Sequence, residues 1–209
     1  MASVKNLLLD GSRGKVGNVV FANWRGIQTM RSVPVDPHNP NSTLQQEQRN
    51  AFRTVVGVSR TLLPWSRIAY RLIAKKKSEY NVMVSELLSV FDKPNNCFKE
   101  SSMKDFKASV GSLEKPQLVC VDGADNNTIS CTFSKPAINH QGNPTDRLAF
   151  LAFDLASGNF GFVFHPTDRA VLTSEFNVVF PFDVSSAHVW SMFVSSNAAQ
   201  CSDSSYNKL

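Results

Sequence analysis

The sequence lacks the long apolar runs that membrane-spanning helices and secretory signals need. No stretch of about 18 apolar residues is present, so a membrane-spanning helix is excluded. Near the amino terminus only Leu7–Leu9 form an apolar run before Asp10, which is too short a core for a secretory signal. We expect a protein made without a signal peptide or a membrane span, located in the cytoplasm or in a virion.

Cysteine and histidine are also scarce, with four residues of each kind. The cysteines, at Cys97, Cys120, Cys131 and Cys201, form no C-x-x-C pair, and no histidine stands at metal-ligand spacing from them. We therefore expect no metal and no cofactor. Cys120 and Cys131 fall on neighbouring predicted strands, where buried thiols are expected, and the sequence leaves open whether they pair.

Motifs for phosphate binding and catalysis are missing as well. Three glycines within residues 11–17 surround Lys15, but Val16 follows it where a Walker motif has serine or threonine, and no G-x-G-x-x-G is present. His165 and Asp168 are close in sequence, yet no nucleophile is marked by a recognisable turn. The sequence therefore predicts a protein that is not an enzyme.

What the sequence does have is an uneven distribution of charge. Residues 1–110 carry 17 basic against 8 acidic side chains, whereas residues 111–209 carry 5 against 9. This asymmetry favours a basic module that meets an anionic partner, although basic helix faces that are simply solvated give the same counts. The expected contacts to nucleic-acid phosphates are Arg13, Lys15, Arg25, Arg31, Arg53, Arg60, Arg67, Lys75, Lys76 and Lys77.

The amino-terminal segment predicts a β-hairpin. Asn18–Phe21 and Ile27–Ser32 have the composition of short strands around a turn at Ala22–Gly26. A two-stranded ribbon is marginally stable in water by itself, so we expect it to pair with another sheet or another subunit. The residues expected at this interface are Gly14, Val16, Gly17, Val19, Phe21, Trp24 and Ile27.

A proline-rich segment follows the hairpin and leads into a helix. Three prolines, each three residues from the next within residues 33–40, favour an extended polyproline-II strap. Ser42 with Gln45, or Thr43 with Gln46, forms a capping box that predicts a helix start. The sequence therefore predicts a glycine-rich hairpin and proline strap over residues 1–40.

Apolar side chains then recur at helical spacing in three segments, which predicts a helical region over residues 41–110. The first helix starts at the capping box, the second has Pro64 in its first turn, and the third runs from about Ser78 to Phe91. The side chains expected on the buried faces include Leu44, Ala51, Phe52, Val55, Trp65, Ala69, Leu72, Ile73, Tyr80 and Leu87.

After residue 110 the apolar period changes from helix to strand. The predicted strands are Gln117–Val121, Thr128–Phe133, Arg147–Asp154, Phe160–Phe164, Val171–Phe180, His188–Ser195 and one near Ser204–Lys208. Short strands separated by turns rich in glycine, asparagine, aspartate and proline predict an immunoglobulin-like or fibronectin-like sandwich over residues 111–209. The segment Leu148–Phe153 is apolar on both faces, which indicates a central strand or an outer face covered by the helices or by a partner. The predicted fold class is α+β.

Short motifs occur in a fixed order near the two ends of the chain, and the resemblance that they carry spans nearly its whole length. They are G-K-V-G-N-V-V at 14–20, W-R-G-I at 24–27, M-R-S-V-P at 30–34, N-S-T-x-x-Q at 41–46 and F-V-S-S-N…C-S-D-S-S-Y at 193–206. Through these motifs the chain resembles an uncharacterised family common in Bacteroidota and their phages. Its helix start is also similar to that of small proteins in phage structural gene neighbourhoods. The family has no assigned activity, so the resemblance implies no catalytic residues.

The sequence leaves two functions open. The first is a non-enzymatic structural or assembly protein, a phage virion component whose amino-terminal segment docks on other copies or on other virion proteins. The second is a nucleic-acid-binding protein that uses its basic amino-terminal half without sequence specificity. The marginal hairpin, the extended strap and the lack of catalytic groups favour the first, and we expect an oligomer or a part of a larger assembly.

Overall fold

The computed structural model describes residues 2–3, 11–36, 41–133, 142–155 and 157–209. The chain divides into two units, Met1–Ser42 and Thr43–Leu209. The helical region and the sandwich, which the sequence predicts as separate parts, belong to the same unit. Residues 37–40 of the proline-rich segment lie outside the described residues, so its extended conformation stays a prediction.

The described part of the amino-terminal unit is a four-stranded antiparallel sheet. Its strands are β1 (Ala2–Ser3), β2 (Gly14–Val16), β3 (Val19–Trp24) and β4 (Ile27–Ser32). The order of the strands is β1-β4-β3-β2. The predicted hairpin is therefore present as β3 and β4, and β1 and β2 extend it on its two sides.

Two-residue turns connect three of these strands. Gly17, with a φ of 56°, precedes Asn18 between β2 and β3, which is the pattern of a type II′ turn. Arg25 and Gly26 between β3 and β4 have φ of 46° and 78°, the pattern of a type I′ turn. The predicted five-residue turn is therefore wrong. The β3 strand continues through Trp24 because a primed two-residue turn matches the twist of its flanking strands.

The described part of the second unit begins with three α-helices, α1 (Thr43–Thr61), α2 (Leu63–Ala69) and α3 (Glu79–Ser89). Pro64 lies in the first turn of α2, where its missing N–H needs no partner. The Ser78 side chain caps α3 by accepting a hydrogen bond from the Asn81 N–H at 3.1 Å. A short hairpin of β5 (Phe91–Asp92) and β6 (Cys97–Phe98) and a 3-10 helix (Glu100–Asp105) follow.

The buried face of α1 differs from the predicted one. Leu44 and Phe52 are 76% and 50% exposed, although both were expected to be buried. The buried residues of this helix are Ala51, Val55 and Ser59, so burial begins two turns into the helix. Phe52 lies about 100° around the helix from Ala51, which places it at the edge of the buried face of α1.

The second helix is shorter than predicted. It ends at Ala69, so Leu72 and Ile73 no longer follow its helical phase and are 54% and 40% exposed. Trp65 is fully buried as expected. Its indole Nε1 donates a hydrogen bond to the Ala108 carbonyl at 2.9 Å, which fixes α2 to the segment that leads into the sandwich.

Seven strands form a two-sheet sandwich in the described part of residues 118–208. They are β7 (Leu118–Asp122), β8 (Thr128–Phe133), β9 (Arg147–Asp154), β10 (Asn159–Asp168), β11 (Glu175–Val179), β12 (His188–Val194) and β13 (Ser205–Lys208). One sheet has the order β11-β8-β7 and the other the order β10-β9-β12-β13. The predicted α+β class with a carboxy-terminal immunoglobulin-like sandwich is confirmed.

The four-stranded sheet of the sandwich is buried on both faces. Toward the helices it packs Ala149, Leu151, Phe153, Trp190 and Met192. Toward the three-stranded sheet it packs Leu148, Phe150, Ala152, Val189 and Phe193. The two-faced apolar character of β9 is therefore explained by the helices, which cover the face that the second sheet does not.

Candidate assembly interface

The amino-terminal sheet brings four of the predicted site residues onto one face. Lys15, Val20 and Arg31 are directly opposite one another across β2, β3 and β4, and opposite residues of antiparallel strands share a face. The alternation along β3 puts Trp24 on the same face, opposite Ile27. We call Lys15, Val20, Trp24, Ile27 and Arg31 the basic face of this sheet.

The opposite face of the sheet carries the remaining apolar side chains together with Asn23, Gln28 and Ser32. Val16 and Val19 lie opposite each other there, and Phe21 lies opposite Met30. Val16 is 70% exposed, and the other three side chains are partly buried. The residues predicted for one interface are thus divided between two faces, with Gly17 in the turn between β2 and β3.

Arg25 occupies a strained position at the tip of the β3–β4 hairpin. Its φ of 46° lies in the left-handed region, where a residue with a branched or long side chain is less stable than glycine or asparagine. Its guanidinium lies 5.9 Å from the centre of the Trp24 ring, within cation–π range. The tip therefore combines a cation with an aromatic side chain that is 56% exposed.

The described part of this unit has no apolar core of its own. Among residues 11–36 the one buried residue is Gln28, a polar side chain. Its Nε2 donates a hydrogen bond to the Ser12 carbonyl at 2.7 Å, and its Oε1 accepts one from Asn23 Nδ2 at 3.0 Å. Hydrogen bonds rather than apolar packing thus connect the hairpin to the segment before β2.

The three-stranded sheet of the second unit presents another exposed surface. Val119, Val121 and Val179 point outward from it and are 62%, 54% and 59% exposed. Glu175 lies on the same surface, because Glu175 and Val119 are both opposite Thr132 in the central strand. We call Val119, Val121, Glu175 and Val179 the valine face.

Glu175 is on the outer face of these strands, whereas Asp122 lies opposite the buried Ile129 and therefore on the inner side of the sheet. Residues 118–133 and 175–183 contain four acidic residues and no lysine or arginine. The acidic residues are Asp122, Asp125, Glu175 and Asp183. Hydrogen bonds from the N–H and Oγ of Ser185 hold the pKa of the Asp183 carboxyl below its usual range. Sequence reasoning missed this surface, although the alternating valines and the one-sided charge were signals for it.

The remaining predicted phosphate contacts lie in the second unit. Arg53 and Arg60 lie on the exposed side of α1, away from its buried residue Val55. Arg67 is exposed on α2, and Lys75–Lys77 are exposed in the bend before α3. Four of the ten predicted contacts thus belong to the amino-terminal unit and six to the second.

A cleft of about 530 Å³ opens beside β13 in the second unit, with Lys104, Trp190 and Tyr206 in its lining. His188 lies behind Tyr206, and its Nδ1 is 2.7 Å from the tyrosine hydroxyl oxygen. Burial lowers the pKa of His188, so the imidazole is neutral at pH 7. With 1% of its surface exposed, His188 is a packed core group rather than an accessible base.

The described residues contain no group of three histidine, cysteine, aspartate or glutamate side chains that could hold a metal ion. His165 and Asp168, which are close in sequence, have separate partners. The His165 Nδ1 accepts a hydrogen bond from the Thr167 N–H at 3.3 Å, and Asp168 pairs with Arg147 at 2.7 Å. No described helix is both long and apolar enough to cross a membrane.

Cys120 and Cys131 face each other inside the sandwich. They are directly opposite in β7 and β8, and their sulfur atoms are 3.0 Å apart. Both are free thiols in this structure. The hydrogen bond between the Cys131 and Cys120 thiols, together with burial, raises the pKa of Cys131 far above its usual range, so this sulfur is protonated at neutral pH.

These features define an α+β protein in which a basic amino-terminal sheet precedes a helix-covered sandwich. The model of a family of unknown function (DUF6266) matches residues 11–208, and the chain belongs to this family. The match includes strands of both units, so sheet and sandwich are parts of one family pattern. The predicted membership of an uncharacterised family is confirmed in this respect. A search of curated proteins gives no match.

Proposed function

We propose that the protein is a non-enzymatic structural protein of a larger assembly, in which the amino-terminal sheet docks on a neighbouring subunit. The observation that carries this proposal is the lack of an apolar core among residues 11–36, where Gln28 is the one buried residue. A sheet with apolar side chains on one face has to bury that face against another element. In the proposed assembly the neighbouring subunit supplies that second layer.

The exposed apolar side chains indicate how large the docked area has to be. Val16 and Trp24 are 70% and 56% exposed and lie on opposite faces of the sheet. Covering one such side chain contributes about 1.5–3 kcal/mol. Fixing the backbone of a single residue costs about 1–2 kcal/mol. One anchoring side chain therefore offsets the ordering of only one or two residues, and a whole sheet face has to be covered.

The assembly that we propose is a phage particle. Support comes from the resemblance of the motifs at 14–34 and 41–46 to a family common in Bacteroidota and their phages. The helix start adds to it through its similarity to small proteins in phage structural gene neighbourhoods. Immunoglobulin-like sandwiches are common binding scaffolds, and this analogy agrees with the proposal, although a fold alone does not fix a function.

Purified phage particles from a host that carries the gene provide the test. Mass spectrometry is expected to detect the chain in the particles at a fixed ratio to the other structural proteins. Trp24→Asp is expected to reduce its incorporation, because a charge is then placed where the sheet docks. Leu72→Asp, which also replaces an exposed apolar residue but lies outside the sheet, serves as the control and is expected to be incorporated normally. Absence from particles, or normal incorporation of Trp24→Asp, contradicts the proposal.

A second candidate function is nucleic-acid binding through the basic face. Lys15 and Arg31 flank Val20 on this face, and Trp24, with more than half of its surface exposed, lies on the same face at the end of β3. Cations that follow a backbone, together with an aromatic side chain on which bases stack, are the elements of non-specific single-strand binding. Covering the sheet with a nucleic acid would bury the same side chains as docking on a protein.

Salt dependence of binding distinguishes this second function from the first. Fluorescence anisotropy with a single-stranded oligonucleotide is expected to show an affinity that falls with salt, with a slope of about −0.7 for each phosphate contact. Lys15→Gln with Arg31→Gln is expected to reduce this slope, whereas Lys93→Gln, an exposed lysine of the second unit, leaves it unchanged. Undetectable binding at low salt excludes this function.

A further inference from the structure

We propose that Cys120 and Cys131 are a dithiol modification site, which a low-molecular-weight disulfide oxidises to a cross-strand disulfide bond between β7 and β8. The sulfur atoms of the two cysteines lie 3.0 Å apart, and both side chains are reduced. This inference is independent of the proposed function, because it concerns the covalent state of the sandwich and not the docking of the amino-terminal sheet.

The strand pairing brings the two cysteines together in a favourable position. Cys120 is directly opposite Cys131 in the antiparallel pair of β7 and β8. At the end of the same pair the Gly123 N–H donates a hydrogen bond to the Thr128 carbonyl at 2.9 Å. Because hydrogen-bonded and non-hydrogen-bonded pairs alternate along antiparallel strands, Cys120 and Cys131 form a non-hydrogen-bonded pair.

The spacing of the backbone at this pair is compatible with a covalent bond. In non-hydrogen-bonded pairs the Cα atoms are about 4.5 Å apart, and the side chains are closer than in hydrogen-bonded pairs. Disulfide bonds in proteins join Cα atoms that are about 4.4–6.8 Å apart. The backbone of β7 and β8 can therefore keep its position when the bond forms.

The other two cysteines of the chain lie elsewhere. Cys97 is exposed on β6, in the hairpin that follows α3. Cys201 belongs to the core between the helices and the four-stranded sheet, where its sulfur is 3.5 Å from the Ala69 carbonyl oxygen. Cys120 and Cys131 belong to the core between the two sheets. An intramolecular disulfide is therefore expected between these two cysteines and not with either of the others.

Access of an oxidant to the pair depends on β7. Cys120 and Cys131 are both buried, so a dissolved oxidant does not reach them in the closed sheet. Among the described strands β7 pairs with β8 alone, whereas β8 lies between β7 and β11. Elements with few neighbours and hydrogen bonds near solvent open at a lower free-energy cost than central ones. Cys120 is therefore the sulfur that meets the oxidant first.

The reaction consists of two thiol–disulfide exchanges. In the first, the Cys120 thiolate attacks one sulfur of the oxidant, forms a mixed disulfide and releases one thiolate. The hydrogen bond with the Cys120 thiol, the main cause of the raised pKa of Cys131, is absent from this mixed disulfide. In the second exchange, Cys131 loses its proton to solvent and attacks the Cys120 sulfur, which closes the cross-strand bond and releases the second thiolate. The two cysteines thus lose two protons and two electrons, and the oxidant is reduced to two thiols.

The bond would fasten the edge strand of the three-stranded sheet. The alternation of pairs puts the hydrogen bonds between β7 and β8 at Val119 and Val121, on either side of Cys120. A disulfide between these hydrogen bonds prevents the two strands from separating. Disulfides persist in oxidising surroundings, whereas the cytoplasm keeps thiols reduced. The second unit is therefore expected to be reinforced when the protein leaves a reducing compartment.

Oxidation of the native full-length chain tests the site. Cys97→Ser serves as the parent, because it removes the exposed thiol and with it disulfides between molecules. Incubation with glutathione disulfide at neutral pH is expected to lower the number of thiols titrated after denaturation from three to one, with an unchanged circular dichroism spectrum. Proteolysis at Asp122 and Asp125 cuts the chain between the two cysteines, so their peptides are expected to stay linked until a reductant is added.

Hydrogen exchange measures the effect of the bond on the strand. The amides of Val119 and Val121 are expected to exchange at least about tenfold more slowly in the oxidised protein, because β7 can no longer separate from β8. The amides of β3 and β4 belong to the other unit and are expected to exchange at the same rate in both forms.

Two alanine variants of the parent test the order of attack. With Cys131→Ala, the reaction stops at the mixed disulfide, and Cys120 is expected to gain one glutathionyl group. With Cys120→Ala, the remaining Cys131 on the central strand is expected to gain this group at least about tenfold more slowly. Equal rates overturn the assigned order. Three titratable thiols in the parent after incubation, or linked peptides only when the chain is denatured before oxidation, overturn the modification site itself.

Discussion

Arg25 shows most directly how a single residue departs from what its local geometry favours. A type I′ turn requires positive φ at both central positions, and asparagine followed by glycine is the preferred pair. The chain has Arg25 before Gly26, with the arginine at a φ of 46°. Strain of this kind persists where the surroundings or a function maintain it. The cation at the hairpin tip, beside Trp24, is consistent with a role in docking.

Replacing Arg25 by asparagine is expected to stabilise the amino-terminal sheet. Asparagine tolerates the left-handed region, so the gain is about 1 kcal/mol. Hydrogen exchange of the amides in β3 and β4 measures it, and the exchange is expected to slow by up to about fivefold. Arg13→Asn is the control, because Arg13 is not among the residues with positive φ. Unchanged or faster exchange in Arg25→Asn contradicts the expectation.

The four thiols are expected to differ sharply in reactivity. Cys97 is exposed, whereas Cys120, Cys131 and Cys201 are buried. Burial raises the pKa of Cys201 to about 11, so its reactive thiolate is rare at neutral pH. Alkylation followed by mass spectrometry is expected to modify Cys97 first and the other three only after denaturation. Rapid alkylation of a buried thiol in the native protein would falsify this order.

The proximity of Cys120 and Cys131 settles part of what the sequence left open. Their sulfur atoms are 3.0 Å apart and reduced, so the pair is positioned for a disulfide bond without being one here. Sequence reasoning placed the two cysteines on neighbouring strands, but the register that puts them opposite each other depends on the length of the β7–β8 turn.

At the scale of elements, the sequence predicted strand bounds correctly where flanking turn residues determine them. The strands Thr128–Phe133 and Arg147–Asp154 were predicted with the bounds that the structure has, since turn residues flank them. The strand β2 was not predicted, although Val16-Gly17-Asn18-Val19 has the pattern of a two-residue hairpin turn. Failures arose where distant packing decides, as for Leu44 and Leu72, which follow an apolar period but meet no covering element in the described part of the chain.

The candidate site was harder to predict than the fold. The basic residues of the amino-terminal sheet were recognised from composition, but their division between faces depends on strand register, which a five-residue turn would have reversed for part of the hairpin. The valine face could not be foreseen as a surface, because its members Val119, Glu175 and Val179 come together only through the pairing of β7, β8 and β11.

Trp65 and Trp24 are expected to contribute very differently to the free energy of unfolding of the second unit. Trp65→Ala is expected to lower the free energy of unfolding of the second unit by about 3–5 kcal/mol, because it leaves a cavity and an unpaired Ala108 carbonyl. Trp24→Ala, at an exposed position, is expected to change it by less than about 0.5 kcal/mol. Chemical denaturation followed by circular dichroism measures both. Equal effects of the two variants would contradict the assignment of Trp65 to the core.

For the whole molecule, stability is expected to fall on mild acidification. Burial lowers the pKa of both His165 and His188 in the folded protein, so the unfolded chain binds more protons. The stabilisation is complete above the ordinary histidine pKa of about 6.5 and is lost as the pH falls below it. Denaturation at about pH 7.5 and about pH 5.5 is expected to show this loss, and His188→Gln is expected to reduce it. Constant stability between these pH values contradicts the expectation.

The four-stranded sheet of the sandwich is buried on both faces, and this limits where the chain can be divided without exposing apolar side chains. The sandwich is not a portable module, because a polypeptide that begins at residue 111 would leave Leu151, Phe153 and Trp190 in contact with water where the helices had been. Such a fragment is expected to aggregate. Recombination or grafting that preserves the fold therefore has to cut the chain near residue 42, carrying helices and strands together and leaving the amino-terminal sheet as the exchangeable part.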